Sequence, residues 1–183
     1  MSEFANKKVL VLGLSKSGIS AAKHLVKAGA DVFITESREA KPEDKIRIKE
    51  LEKLKIHCEI GGHSEKFLKD VDIAVTSPGI PPHSEIFKRL REKNVTIISE
   101  IEVAYRDSKT PFIAITGTNG KTTTTSLVGE IFHNYTENSF TVGNIGTPYT
   151  EVALLMNEES YTVAEVSSFQ LETIDRFHPH VSA

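Results

Sequence analysis

Short runs of apolar residues alternate with mixed and charged stretches along the first hundred residues of the chain. The runs at 8–12 (KVLVL), 31–35 (DVFIT) and 72–76 (DIAVT) are almost continuously apolar, which is typical of strands buried on both faces of a parallel sheet. From Ile19 to Val26 the apolar residues recur at helical spacing. Strands that alternate with helices predict βαβ units around a parallel sheet. The same criteria predict two further strands and two further helices, at 56–60, 95–98, 43–55 and 84–93.

A second series of strand, loop and helix occupies the rest of the chain. Strands are predicted at 112–116 and 161–166, and helices at 122–132 and from Phe169 onward. Two clear strands are few for a parallel α/β core, whose sheets commonly hold about five or six. Because the residues at 178–183 look like the entry to another strand, we expect this second domain to be truncated at its C-terminal side.

The boundary between the two series is predicted near 107–111, where a Thr-Pro pair interrupts the pattern. The stretch before it, SEIEVAYRD at 99–107, predicts a helix, and Ser99 and Glu102 have the spacing of a capping box. The predicted fold class is therefore α/β, with a Rossmann-like parallel-sheet domain at 1–107 and a partial P-loop-type domain at 108–183.

Composition and charge exclude several classes of protein. The chain has 183 residues and a formal net charge of −3, with lysine and arginine scattered along it, which argues against binding to nucleic acid or to a membrane surface. No apolar run approaches the roughly 20 residues that span a bilayer, and the start lacks the apolar segment of a signal peptide. We therefore expect a cytoplasmic protein. Cys58 is the single cysteine, so we expect a half-buried apolar residue rather than a disulfide or a metal site.

The loop Gly13–Gly18 follows a strand and opens a helix, which is the setting of the dinucleotide-binding pattern G-x-G-x-x-G. The second glycine of that pattern, which lets the backbone approach a pyrophosphate, is replaced by Ser15. Glu36 stands about twenty residues later, where an acid that binds ribose is expected. Backbone N–H groups near Lys16 would still hold a diphosphate at the start of the helix. Alternatively, the loop is a plain tight turn with Ser17 as the helix cap.

The stretch ITGTNGKTTTT at 115–125 predicts a nucleotide triphosphate site of shortened form. It lacks the first glycine of the pattern G-x-x-x-x-G-K-[ST], because Ile115 stands in its place. Glycine and asparagine tolerate the positive φ of a loop whose N–H groups surround an anion. A following lysine supplies charge to the β and γ phosphates, and a threonine supplies a hydroxyl to Mg²⁺. The candidate ATP-binding residues are Gly117, Thr118, Asn119, Gly120, Lys121, Thr122 and Thr123.

Glu165 ends the apolar strand YTVAE, and an acid in such a strand is costly unless it is paired or binds a metal. A magnesium ion held by a threonine hydroxyl and phosphates also needs a carboxylate at the end of a nearby strand, so we predict Glu165 as that ligand. Asn144 lies in the loop GNIG and is a weaker candidate for phosphate or metal. Ser167 and Gln170 have the spacing of a capping box, and a structural role for them is as good as a functional one.

Together these motifs resemble the Mur ligases of peptidoglycan synthesis. The stretches that carry the resemblance are TGTNGKTT at 116–123, GNIG at 143–146 and EVSSFQLE at 165–172. The run SSFQLE, the loop GLSKSG and the turn TSPGIP at 76–81 point to the branch that joins D-glutamate to UDP-N-acetylmuramoyl-L-alanine, and the resemblance covers the whole chain in order. It implies ATP and Mg²⁺ as cofactors, no nucleic-acid or membrane partner, and no obligatory protein partner.

The resemblance also implies roles for individual residues. Lys121 would act on the transferring phosphate, Thr122 and Glu165 would hold Mg²⁺, and Asn144 would lie near the metal and the substrate diphosphate. The first domain would bind UDP through Lys16, Ser17, Glu36, Ser37, Arg38, Ser77, Pro78 and Gly79. The family continues with an N-x-x-x-D-H segment, a carbamylated lysine at a second metal site and a third domain for D-glutamate. Without these we expect no turnover.

Two other functions remain open from the sequence. An NAD-dependent oxidoreductase or sensor would use the first loop and Glu36, but it leaves Lys121, Thr122 and Glu165 unexplained. A non-catalytic nucleotide-binding module would retain the second loop without group transfer. We favour the ligase, because a UDP pocket joined to an ATP pocket has little purpose without transfer.

Overall fold

A computed structural model describes residues 2–108, 110–144 and 146–183 of the chain. These residues form two compact units, of which one ends at Ile98 and the other begins at Ser99. Each unit contains a sheet of parallel strands with helices between them, so the predicted α/β class is confirmed.

The first unit has the Rossmann-like sheet that the alternation of strands and helices predicts. Its strands are β1 (Lys8–Leu12), β2 (Asp31–Glu36), β3 (His57–Ile60), β4 (Ile73–Thr76) and β5 (Thr96–Ser99), and its helices are α1 (Lys16–Lys27), α2 (Asp44–Lys53), α3 (Glu65–Leu68) and α4 (Glu85–Glu92). The order across the sheet is β3-β2-β1-β4-β5. Successive strands are therefore added on one side of β1 as far as β3 and on its other side from β4 onward. Parallel sheets of this kind bind ligands at the carboxyl ends of the strands beside this switch point, between β1 and β4.

The buried strand β1 is the centre of the first unit. Four of its residues, Val9 to Leu12, are completely buried, as their apolar run predicts. Leu10 and Leu12 pack in one core with Phe87 and Leu90 of α4. Burying each such side chain stabilises the fold by about 1.5–3 kcal/mol, so this core fixes the strand ends that carry the loops.

The second unit has a four-stranded sheet in which two strands were not predicted as such. Its elements are α5 (Glu100–Asp107), β6 (Phe112–Ile115), α6 (Lys121–Tyr135), β7 (Ser139–Gly143), α7 (Tyr149–Val152), a 3₁₀ turn (Ala153–Leu155), β8 (Tyr161–Glu165), α8 (Ser168–Leu171) and β9 (Val181–Ser182). The order is β7-β8-β6-β9. The short strand β9 agrees with the expected entry to a strand at 178–183, whereas no strand was predicted at β7.

Helix α5 packs in the second unit, although the predicted boundary at 107/108 assigned it to the first. Ile101 and Ala104 lie in the same core as Phe112 and Tyr149. The compact units consequently divide between residues 98 and 99. The division follows from the apolar contacts of α5 with the second unit. The predicted boundary was based on a Thr-Pro pair, which carries no information about these contacts.

The predicted capping box at the start of α5 is wrong, because its acid has other partners. The Ser99 side chain makes no cap hydrogen bond. The buried Glu102 carboxylate accepts hydrogen bonds from Arg106 Nε (2.6 Å) and from the backbone N–H groups of residues 175–177 (2.8–3.1 Å). Burial alone would raise the pKa of Glu102, but these donors outweigh it and lower the pKa. Glu102 therefore fastens the segment after α8 to α5.

Candidate functional site

The second glycine loop joins β6 to α6 and leaves the start of the helix open. Gly117 has φ 133° and Gly120 has φ 79°, both in the region that favours glycine. Gly120 is the N-cap of α6, no side chain caps the helix, and its first turn contains no acidic residue. The first N–H groups of a helix lack intrahelical partners and carry partial positive charge. The loop therefore offers donors for an anion, as its sequence predicts.

Lys121 is the first residue of α6 and extends back along the loop. Its Nζ donates a hydrogen bond to the carbonyl oxygen of Gly117 at 2.8 Å. Residues 116–120 of the loop are exposed. An ammonium group held over exposed N–H donors is the arrangement that stabilises a bound polyphosphate.

Glu165 lies where the carboxyl ends of three strands meet. In the parallel ladders Ile115 and Gly143 are both paired with Glu165. Its Oε2 accepts a hydrogen bond from Thr122 Oγ1 at 2.8 Å, and its Oε1 accepts one from Asn144 Nδ2 at 3.2 Å. The structure thus brings together the three residues predicted to hold metal, from three separate parts of the chain.

A close approach of two backbones holds Asn144 at this place. Gly143 has φ 114°, and a Cβ atom added there would lie 2.2 Å from the carbonyl oxygen of Glu165. The same carbonyl accepts the N–H of Asn144 at 2.9 Å. Only glycine fits at 143, so this part of the motif GNIG has a steric reason; Ile145 of that motif lies outside the described residues.

The donor set around Glu165 fits Mg²⁺. Glu165 is 2% exposed, and its carboxylate and the Thr122 hydroxyl supply oxygen donors of the kind this ion prefers. Adjacent ligands of an octahedral Mg²⁺, each about 2.1 Å from the ion, lie about 3 Å apart. The 2.8 Å between Thr122 Oγ1 and Glu165 Oε2 is close to that separation.

The residues after Glu165 begin helix α8 with a capping box. Ser167 Oγ accepts the N–H of Gln170 at 3.3 Å, and Gln170 Oε1 accepts the N–H of Ser167 at 2.9 Å. The structural interpretation of these two residues is confirmed. Their polar groups make hydrogen bonds within the first turn of α8. Glu165 is therefore the residue of this motif whose side chain contacts the start of α6, through Thr122.

The first glycine loop differs from the second because its own serine caps the helix. Ser15 Oγ accepts the N–H of Gly18 at 3.2 Å, so Ser15 is the N-cap of α1. Ser17 is not the cap, as the plain-turn interpretation had it. Ser15 Oγ also donates to Ser77 Oγ at 3.0 Å and lies 3.1 Å from Ser17 Oγ. Three of the polar residues that follow β1 and β4 therefore meet at the point where the sheet order reverses.

The predicted UDP-binding residues after β2 are partly engaged within the protein. The Glu36 carboxylate accepts the N–H of Leu14 at 3.1 Å and the N–H of Arg38 at 3.2 Å, which joins the first loop to the end of β2. The Arg38 guanidinium donates to Asp44 at 2.6 and 3.0 Å. That hydrogen bond raises the pKa of Arg38 and holds the pKa of Asp44 well below its usual range. Ser37 is exposed.

Sequence reasoning missed Asp44, which is 1% exposed and also accepts the N–H of Lys41 at 2.8 Å. Nothing in the local pattern distinguishes it from the other acids of its charged stretch. The remaining predicted residues lie at the same edge of the sheet: Lys16 and Gly79 are exposed, Pro78 is half-buried and Ser77 is buried.

Three further observations concern other kinds of site. Within 2–108, 110–144 and 146–183, no helix is long and apolar enough to cross a membrane. The same residues contain no cluster of three or more histidine, cysteine or acidic side chains suited to a metal. Burial, with a smaller effect from Glu52, raises the pKa of the half-buried Cys58 thiol to about 11, so it stays protonated near neutral pH.

Comparison with known proteins assigns both halves of the chain to one family. Residues 7–99 match the family model of the Mur ligase MurD-like N-terminal domain, and residues 115–182 match the Mur ligase middle domain. Two curated relatives, from Lachnospira eligens (47% identical) and Clostridioides difficile (46% identical), are named UDP-N-acetylmuramoylalanine--D-glutamate ligase. Each match covers 99% of this chain and 40% of the relative, so the chain spans well under half the length of these proteins.

Solved structures with the same fold are also Mur-type ligases. A pseudomurein peptide ligase type C from Methanothermus fervidus has a TM-score of 0.51 at 24% identity, and the match covers 89% of this chain and 33% of that one. The UDP-N-acetylmuramate:L-alanyl-gamma-D-glutamyl-meso-diaminopimelate ligase from Neisseria meningitides has a TM-score of 0.52 at 17% identity, with 89% and 52% covered. At these identities the likeness shows the fold alone.

Proposed function

Because the chain belongs to the Mur ligase family, we propose that it carries the UDP-substrate-binding and ATP-binding parts of an enzyme that joins D-glutamate to UDP-N-acetylmuramoyl-L-alanine. The observation that carries this proposal is the convergence of Thr122 and Asn144 on the Glu165 carboxylate, beside a glycine loop whose helix has no side-chain cap. The names of the curated relatives supply the substrates. The proposed reaction takes place in the cytoplasm and needs no protein partner.

In the proposed reaction the L-alanyl carboxylate of the UDP substrate attacks the γ phosphorus of ATP. The bond from that phosphorus to the bridging oxygen breaks, and ADP leaves. The amine of D-glutamate then attacks the acyl carbon, an amide forms, phosphate leaves, and the amine loses a proton to solvent. The charge on the phosphate oxygens is the main obstacle in the first step, so catalysis needs positive charge and N–H donors around them.

The second unit would supply that environment. The backbone N–H groups of Gly117 to Thr123 would bind the phosphates, and Lys121, released from the Gly117 carbonyl, would neutralise charge on the transferring group. Thr122 and Glu165 would hold Mg²⁺, with Asn144 positioning the carboxylate. Mg²⁺ held there would supply positive charge that offsets the negative charge of the phosphate groups.

The first unit would bind the UDP part of the substrate at the carboxyl edge of its sheet. Lys16 and Ser17 would contact the diphosphate, Glu36 to Arg38 the uridine, and Ser77 to Gly79 the sugar. Ser15 supports this assignment over NAD, because it stands where the dinucleotide-binding pattern requires its second glycine.

A test of the metal and ATP site is calorimetric titration of the chain with ATP, with Mg²⁺ present and after its removal by a chelator. We expect Mg²⁺ to strengthen binding at least about tenfold, and Glu165→Gln to abolish that gain, because a neutral amide is a poor Mg²⁺ ligand. Glu137→Gln, at an exposed position just beyond α6, is the matched control and should behave as wild type. An unchanged Mg²⁺ dependence in Glu165→Gln would overturn the assignment.

A test of the substrate class is titration with UDP-N-acetylmuramoyl-L-alanine and, in parallel, NAD⁺. We expect the UDP substrate alone to bind, with weaker binding in Lys16→Ala. Arg38→Ala is a poor probe, because it leaves the buried Asp44 without its main cationic partner and disturbs folding. Binding of NAD⁺ alone would favour the oxidoreductase instead.

A further inference from the structure

The loop after β3 carries a polar side chain that none of the predicted sites includes. The N–H groups of Gly61 and Gly62 both donate to the carbonyl oxygen of Glu36, at 2.9 and 3.2 Å. These bonds extend the pairing of β3 with β2 beyond the end of β3. His63, the next residue, is therefore held at the carboxyl edge of the sheet, beside the end of β2.

The imidazole of His63 has a fixed position and a defined tautomer. The buried hydroxyl of Thr35 donates to the carbonyl oxygen of Gly62 at 2.8 Å and lies 2.9 Å from His63 Nδ1. A hydroxyl has one hydrogen, so Nδ1 must carry the hydrogen of the second bond. Nε2 is then the acceptor nitrogen, and it has no hydrogen-bond partner in the described part of the chain.

The backbone around His63 is held just as firmly. Arg89 donates from one guanidinium nitrogen to the carbonyl oxygen of His63 (2.8 Å) and from another to Glu65 (2.6 Å). The N–H of Ser64 donates to Glu59 Oε2 at 2.8 Å. A ring with both its tautomer and its backbone fixed can present an acceptor in one direction without a large loss of conformational entropy on binding.

The charges around the ring favour its neutral form. Burial lowers the pKa of His63, and the positive charge of Arg89 lowers it further, whereas Glu36 and Glu59 oppose these effects. Since the net shift is downward, the imidazole is neutral at pH 7 and Nε2 keeps its lone pair.

We propose that His63 Nε2 accepts a hydrogen bond from the N3–H group of the uracil base, which makes His63 a specificity-determining residue of the first unit. The inference rests on the proposed UDP-binding function. With the diphosphate at the start of α1, after β1, and the ribose beside Glu36, at the end of β2, the base continues toward β3, because the sheet order is β3-β2-β1. N3–H is the hydrogen-bond donor of uracil, whose O2 and O4 are acceptors.

The experiment is calorimetric titration of the chain with UDP and with N3-methyl-UDP, which lacks the donor. In wild type we expect UDP to bind about five to ten times more tightly than the methylated ligand, the fold-change of a single net hydrogen bond. His63→Ala should lower the affinity for UDP by that factor, leave N3-methyl-UDP unchanged and so remove the discrimination. His57→Ala is the matched control, because His57 begins β3 at the opposite edge of the sheet; it should keep the full discrimination.

A pH series adds a result that a purely structural role would not produce. Protonation turns Nε2 into a donor, and the lowered pKa of His63 places this loss below pH 6.5, the usual pKa of histidine. The affinity of wild type for UDP should therefore fall with acid more than that of His63→Ala, whose profile reports the titration of the phosphate alone.

The outcomes separate the inference from the proposed function. Equal affinity of the wild-type chain for UDP and N3-methyl-UDP, or discrimination that persists in His63→Ala, overturns the role of His63 while UDP binding stands. Absence of UDP binding in a folded wild-type chain overturns the proposed function itself. His63→Gln keeps an acceptor of similar reach and should retain part of the discrimination if His63→Ala proves unstable.

Discussion

The two glycine loops of this chain both connect a strand to a helix, but they differ in the residue that caps the start of that helix. Each follows a buried central strand, and each helix begins with a lysine, Lys16 in α1 and Lys121 in α6. In the first loop Ser15 is an extended N-cap whose hydroxyl accepts the N–H of Gly18. In the second, the left-handed Gly120 is the N-cap, and no side chain accepts the helix N–H groups.

This difference indicates two ways of binding a nucleotide. A helix with an open N-terminus and a neighbouring metal site suits a triphosphate that must be neutralised before transfer. A helix that already has a side-chain cap retains fewer donors and suits a diphosphate that is held without being cleaved. Under the proposed function, the second loop would bind the nucleotide that reacts and the first loop the nucleotide that anchors the substrate.

The largest expected effect on ligand binding is that of the lysine in the open loop. Lys121→Ala should weaken ATP binding about 10- to 150-fold, because a hydrogen bond to a charged group contributes about 1.5–3 kcal/mol. Calorimetry with Mg²⁺-ATP measures this change. Lys16→Ala, at the same position of the other helix, should leave ATP affinity unchanged; if the two variants lose ATP affinity equally, the loops do not divide the nucleotides between them.

The largest expected effect on stability distinguishes the reasons for glycine in the two loops. A Cβ atom added at Gly18 would lie 2.3 Å from the carbonyl oxygen of Gly13, so Gly18→Ala must displace backbone and should destabilise the first unit by about 3 kcal/mol or more. Gly120 has open space around it, and Gly120→Ala should cost only the left-handed conformation, about 1–2 kcal/mol.

Denaturant unfolding, followed separately for the two units by hydrogen exchange, measures both free energies. A Gly18→Ala variant as stable as wild type would mean that the close contact in the first loop relaxes easily. The loops would then differ less than their geometry indicates.

The smallest expected effect concerns the serine cap itself. Ser15→Ala should lower the free energy of unfolding by about 1 kcal/mol, whereas Ser15→Gly should lower it by only a few tenths, because glycine is itself a tolerated N-cap. Thermal unfolding of the two variants side by side provides the measurement. Equal losses would show that the hydroxyl acts through Ser77 or Ser17 and not as the cap.

The sequence was sufficient to predict what depends on local pattern and on strand ends. Buried apolar runs gave the strands of the first sheet, and the carboxyl ends of β6 and β8 brought Thr122 and Glu165 within hydrogen-bond distance as predicted. Parallel strands place their carboxyl ends at one edge, so residues that follow separate strands meet there. Whether the candidate residues bind the ligands assigned to them stays a prediction.

The predictions that were wrong or missing share a physical cause: contacts with residues elsewhere in the chain determine the structure at these positions. No strand was predicted at β7, and the pairing with β8 that forms it is not visible in the local pattern. Glu102 has the spacing of a capping box, yet three backbone N–H groups 73–75 residues away compete for its carboxylate and outnumber the cap. Asp44 and His63 gain their roles from contacts with Arg38 and Thr35, which no spacing in the chain reveals.

The Glu102 carboxylate links acidity to the opening of a chain segment. Three amide hydrogens, at residues 175–177, share this acceptor. Because its pKa is lowered in the folded protein, the stabilisation that the charge provides is present above the ordinary pKa of 4.5 and is lost as the pH falls below it. When the carboxylate takes up a proton, it loses its charge and one of its acceptor positions, so the hydrogen bonds from the three amides weaken together. We therefore expect acid to weaken the attachment of the segment after α8 to α5 at all three amides at once, while the packing of Phe177 against Ile101 and Ala104 remains.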